Sequence, residues 1–72
     1  MNREHLKSFY SEHLRQCMEH IENDNAAGAI FASGCMVGIA QCFILTSPHE
    51  NDPEFNRMMK QNKQISKTIS EM

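Results

Sequence analysis

"AAGAIFASGCMVGIAQCFILT", residues 26–46, contains no charged side chain, in a chain of 72 residues. Its length suits a membrane span, which takes about 20 apolar residues, and equally suits a central helix in a small α domain. Gly34 and Gly38 carry the GxxxG spacing that lets helices approach closely. The flanks weigh against a membrane. Glu22, Asp24, Glu50 and Asp52 stand on either side, no Lys or Arg adjoins the stretch, and no Trp or Tyr belt marks an interface. The stretch is therefore expected to form a buried helix over about 26–46, entered through Asp24 or Asn25, whose short side chains can accept from free amides of the first turn.

Wound into a helix, the stretch is apolar on every side. Ile30, Val37 and Ile44 fall on one face, Ile39 and Phe43 on another, Phe31 and Leu45 on a third. Two neighbouring helices of the same chain cover two faces, so the third is expected to meet a second copy or a partner, with self-association the sharper expectation. The residues expected at that contact are Ala27, Phe31, Gly34, Gly38, Gln41 and Leu45. The competing reading is that the glycines admit Phe9, Tyr10 or Phe55 of the same chain, and spacing alone does not name the facing helix.

Both neighbours are amphipathic. Before the stretch, Leu6, Phe9, Tyr10, Leu14, Cys17, Met18 and Ile21 recur at helical intervals, with Arg3, Lys7, Glu12, Arg15 and Glu19 mainly opposite, predicting a helix over about 3–22. After it, Ser47-Pro48-His49-Glu50 reads as a capping-box pattern and Asn51-Asp52-Pro53 as a helix start with Pro in the first turn, predicting a helix over about 53–70. There Phe55, Met58, Asn62, Ile65, Ile69 and Met72 repeat with the a/d rhythm of a coiled-coil seam. Asn62, its polar member, is expected to bond its mate across a paired interface, or else to face solvent. The expected fold is all-α: one domain over 1–72, a helical hairpin plus a C-terminal helix around a buried central helix, assembled as an obligate homodimer or larger oligomer. A chain this short builds only a modest core by itself, which points the same way.

Charge narrows the partners. Seven Lys and Arg against nine Asp and Glu give −2, which provides no global field for non-specific nucleic-acid binding. Locally, Arg57, Lys60, Lys63 and Lys67 share the outer face of the third helix, and residues 53–72 carry +2, four cations against Glu54 and Glu71. That face is a candidate contact for a protein partner or for phosphates, although it lacks interleaved aromatics and an evident recognition helix.

Catalytic chemistry finds little foothold. Cys17, Cys35 and Cys42 cannot all pair within one chain, and their apolar neighbours suit reduced thiols, hence a cytoplasmic protein. The N-terminus has no apolar run or cleavage site of a signal peptide, and the C-terminus no lipidation box. His13, Cys17 and His20 share one helical stripe and are the weak candidates for a metal, but the short paired spacings of structural zinc sites are missing. "GCMVG" lies within an apolar helix rather than between a strand and a helix, so it is no phosphate loop. No cofactor, nucleophile or acid/base set is assembled.

The expected function is therefore that of a small non-enzymatic interaction or regulatory protein, which self-associates and captures a macromolecular partner. Chains of this size without motifs are common among phage and mobile-element accessory proteins, an association of size alone. Two other expectations belong to different classes: a nucleic-acid-binding regulator using the basic face, and a small-ligand binder with a pocket between subunits near the glycines, Gln41 and the histidines.

Overall fold

Three α-helices make up the fold: α1 Arg3–Glu22, α2 Ala26–Ile44 and α3 Pro53–Ser70. The computed structural model describes residues 2–46 and 52–72, and no strand occurs among them. Each helix starts at a short polar side chain. Asn2 accepts from the His5 amide at 2.9 Å, Asn25 from the Gly28 amide at 3.0 Å, and Asp52 from the amides of Glu54 and Phe55 at 2.9 and 3.4 Å. These bonds satisfy amides that have no partner in the helix itself. Pro53 follows Asp52 in the first turn, where its missing N–H costs nothing.

The link between α1 and α2 is a single tight turn. Asp24 takes a left-handed conformation at φ 56°, while its amide donates to the Ile21 carbonyl at 3.1 Å and the Asn25 amide donates to the His20 carbonyl at 2.8 Å. This is a Schellman closure of α1, and Asn25 ends it while capping α2. Of the two expected caps, Asn25 holds the position and Asp24 supplies the backbone turn. Gly28 is fitted to it: a Cβ there would stand 2.6 Å from His20 Nδ1 and 2.8 Å from Asn25 Nδ2.

The first and third helices have the expected bounds, but α2 stops at Ile44 rather than Thr46. The Thr46 amide and hydroxyl both donate to the Phe43 carbonyl, at 3.0 and 2.7 Å, which tightens the last turn and ends the helix. The capping-box pattern at 47–50 lies outside the described residues.

The turn folds α1 back against α2, and α3 returns along the other flank of α2. The inward face of α2 is built from Ala29, Ala32, Ser33, Met36, Ala40 and Phe43, all buried. Three alanines and a serine let the flanking helices come close, and Met36 and Phe43 fill the space between them. Leu6, Tyr10 and Cys17 meet this face from α1, Met58 and Ile65 from α3, with Leu14, Ile21, Phe55 and Ile69 at the margin. The aliphatic line Ile30, Val37, Ile44 is accordingly not a core line: Ile30 is exposed and the other two are half-buried.

Polar contacts join the three helices at one end of the core and tie α1 to α3 midway along it. The Arg3 guanidinium lies over the Phe43 ring, 4.0 Å from its centroid, and donates to Thr46 Oγ1 at 3.1 Å and to Asp52 Oδ2 at 2.9 Å. One side chain of α1 thus gathers the end of α2 and the cap of α3. Midway, the Tyr10 hydroxyl reaches the Gln61 side-chain oxygen at 2.8 Å and the Met58 carbonyl at 3.2 Å. Burial pushes the Tyr10 phenol and the Cys17 thiol above their ordinary pKa.

Candidate functional site

Ala27, Phe31, Gly34, Gly38, Gln41 and Leu45 follow one another at intervals of 4, 3, 4, 3 and 4, the rhythm that keeps residues on one side of a helix. The first five lie on the solvent side of α2, opposite the alanine face, Leu45 is the residue that caps its end, and all six are exposed. Phe31 is 74% exposed and Leu45 85%. No charge interrupts the line. Phe31 and Leu45 are its large apolar members, and Gly34, Gly38 and Gln41 lie between them.

Among the described residues, no neighbour packs close against the glycines of the stripe. A Cβ placed on Gly34 or Gly38 meets no atom within 4 Å, whereas one on Gly28 meets His20 and Asn25 below 3 Å. Phe9, Tyr10 and Phe55 therefore do not occupy the glycine positions, and the competing intrachain reading fails. Each glycine costs a helix interior about 1 kcal/mol relative to alanine. Among the described residues no close packing at Gly34 or Gly38 offsets that cost.

A groove runs beside the stripe. Leu6, Phe9 and His13 of α1 and Cys35, Gly38, Ile39 and Cys42 of α2 line a shallow depression of about 510 Å³, wide open to solvent and almost wholly apolar. Phe9 forms its outer lip and is 48% exposed. The expected ligand pocket is one between subunits near the glycines, Gln41 and the histidines; of these residues Gly38 and His13 line this groove within the chain and Gln41 does not. Sequence periodicity places Phe9 and Tyr10 on one apolar band, yet the structure turns Tyr10 inward and Phe9 outward, and nothing in the spacing distinguishes them.

Asn62 takes neither expected position. It is only 3% exposed, inside its own chain, and Nδ2 donates to the Met58 carbonyl at 3.0 Å. Its Oδ1 is buried without a hydrogen-bond partner. It is therefore separate from the exposed stripe, because Met58, Asn62 and Ile65 of the α3 seam are buried within their own chain.

The His13, Cys17 and His20 stripe divides among different neighbours. His13 Nδ1 lies 2.9 Å from the Phe9 carbonyl, which places its proton on Nδ1. Cys17 is fully buried with Sγ 3.6 Å from the Ala29 carbonyl, and His20 Nδ1 lies 3.3 Å from Asn25 Nδ2. Among the described residues no group of three or more His, Cys, Asp or Glu is placed to hold a metal ion. All three cysteines are free thiols.

The cations separate into two sets. Arg3, Lys7 and Arg15 of α1 are each paired: with Asp52, with Glu4 and Glu54, and with Glu12 and Glu19. Arg57, Lys60, Lys63 and Lys67 of α3 are exposed on the side opposite Met58, Asn62 and Ile65, and among the described residues none of the four is in a salt bridge.

Comparison with protein-family models, curated proteins and solved structures finds no match to this chain.

Proposed function

We propose that this chain works by association rather than catalysis. It pairs with a second copy through the outward face of α2 and, so assembled in the cytoplasm, binds a macromolecular partner as an interaction or regulatory protein. The observation that carries this reading is the uncharged stripe from Ala27 to Leu45, wholly exposed, with two open glycines at its centre. Large apolar residues toward its ends supply the burial, and bare backbone at its centre allows close approach.

α2 is long and apolar enough to cross a membrane by length and composition, with a mean hydropathy of 1.8. Helices α1 and α3 packed along it, and the acidic residues around it, support burial against protein instead. Light scattering of the purified protein without detergent, over a dilution series, tests the reading, with native mass spectrometry for bound metal or ligand. A multiple of 8.3 kDa is expected. A monomer at every concentration sinks the proposal, a need for detergent points to a membrane protein, and a retained small molecule points to a carrier.

The four cations of α3, in no salt bridge among the described residues, favour a second reading, a nucleic-acid-binding regulator. In that case affinity for a duplex falls steeply with salt and with Lys60→Ala, Lys63→Ala and Lys67→Ala. Affinity unaffected by either change removes it.

A further inference from the structure

Resting on that self-association, we infer that the two α2 helices pair antiparallel about a two-fold axis level with Met36, and that Phe31 of each copy fills the α1–α2 groove of the other. In this register residue numbers facing each other add to 72. Gly34 faces the partner's Gly38, so the two bare backbones meet at the crossing point. Ala27 faces the partner's Leu45, a small stripe side chain against the largest aliphatic one. Phe31 faces the partner's Gln41, between Gly38 and Cys42. The stripe is complementary in size to its own reverse, and this identifies the occupant as a second copy.

The groove selects antiparallel over parallel. On the helix wheel Phe31 leans from the centre of the stripe toward the side where α1 lies, as do Gly38, Cys35 and Cys42. A two-fold axis perpendicular to both helices preserves that lean, so the partner's Phe31 arrives over Gly38 and Cys42 and beneath Phe9, in the groove of about 510 Å³. An axis parallel to the helices reverses the lean. It would set the partner's Phe31 beside Ile30 on the α3 side and leave the groove unfilled.

Area requires the same widening. A 19-residue helix is about 28 Å long and about 10–12 Å wide, a footprint on the order of 300 Å². A standard stable interface buries roughly 800 Å² per partner. The helix pair alone falls short, and the aromatic inserted at each end, with Phe9 closing over it, extends the contact onto α1.

A charge-exchange cycle read by sedimentation equilibrium tests the register. Ala27→Lys and Leu45→Glu alter exposed positions, so each variant is expected to fold, with circular dichroism as the check. Each alone weakens the dimer. Combined in one chain, they set the new lysine of each copy against the new glutamate of the other, twice over. The dimer is then expected to be roughly fivefold to tenfold tighter than the two single effects predict. Phe9→Ser, at the lip, weakens it independently. A dimer in which the combination is additive or worse, as like charges meeting in a parallel pair would be, overturns the register while self-association stands. A wild-type chain that stays monomeric overturns the underlying reading itself.

Discussion

Arg3 and Asp52, 49 positions apart in sequence, are joined by a 2.9 Å ion pair whose carboxylate is 5% exposed and also caps α3. The guanidinium is the side of the pair that reaches solvent, and it rests on Phe43. Removing it takes away the cation that lies 2.9 Å from this buried carboxylate and the contact with Phe43 and Thr46. Arg3→Ala is expected to lower unfolding stability by about 2 kcal/mol, below the usual cost of breaking a fully buried pair because Arg3 is partly solvated. Urea titration followed by circular dichroism measures it, and an unchanged midpoint would show that the clasp contributes nothing.

Asn62 is the opposite case, a buried polar group only half satisfied. Its Oδ1 has no partner, and the Met58 carbonyl that its Nδ2 reaches already receives the Tyr10 hydroxyl. Leucine of similar size at this position removes an unpaired acceptor and adds an apolar contact. Asn62→Leu is expected to stabilise the fold by about 1 kcal/mol, with self-association unaltered. A destabilised variant, or one with a changed mass in solution, would return Asn62 to the interface.

Alkaline pH acts on two buried groups. The Tyr10 phenol and Cys17 thiol both titrate above their ordinary values because burial disfavours their charged forms. The folded chain therefore holds these protons more tightly than the unfolded chain. The stability this represents is complete below the ordinary thiol and phenol values and is lost as pH rises through the raised, folded ones. Denaturant midpoints are expected to fall progressively above about pH 9, with a shallower fall in Tyr10→Phe. Midpoints that are flat across that range would contradict the burial of both groups.

Gly34 and Gly38 separate protomer stability from assembly. Because a Cβ at either meets nothing within 4 Å, replacing both by Ala is expected to raise helix stability by about 1 kcal/mol each under dilute, monomeric conditions. Gly28→Ala is expected to destabilise, because the new Cβ would displace His20 and the capping Asn25. Chemical denaturation of these variants at low concentration distinguishes them, and a loss of stability in the Gly34 and Gly38 pair would mean that those positions already touch something.

What the chain discloses before folding depends on whether one helix suffices to decide it. Asp52-Pro53 and the Asn25 cap are local, and the helices begin there. The stripe from Ala27 to Leu45 is also legible, since its rhythm and lack of charge belong to α2 alone. Whether its glycines serve a neighbour in the chain is not legible, because that depends on where α1 and α3 lie. The same holds for Phe9 against Tyr10, adjacent residues turned to opposite environments, and for Asn62, whose seam is periodic whether it faces another chain or α2. Ile30 looks like core by size, yet it is exposed, while Ala29, Ala32, Ser33 and Ala40 share the core face with Met36 and Phe43. The Arg3 clasp joins residues from three helix ends, a relationship no periodicity contains.

The most direct test of paired α2 helices is sedimentation equilibrium of the native chain beside a Gly34→Leu, Gly38→Leu double variant, with helical content followed on the same samples. The native chain is expected to sediment as a reversible dimer, and the variant as an 8.3 kDa monomer with helical content equal or higher, since leucine favours the helix while its side chain holds the backbones apart. Equal masses for the two chains at matched concentrations would contradict the account.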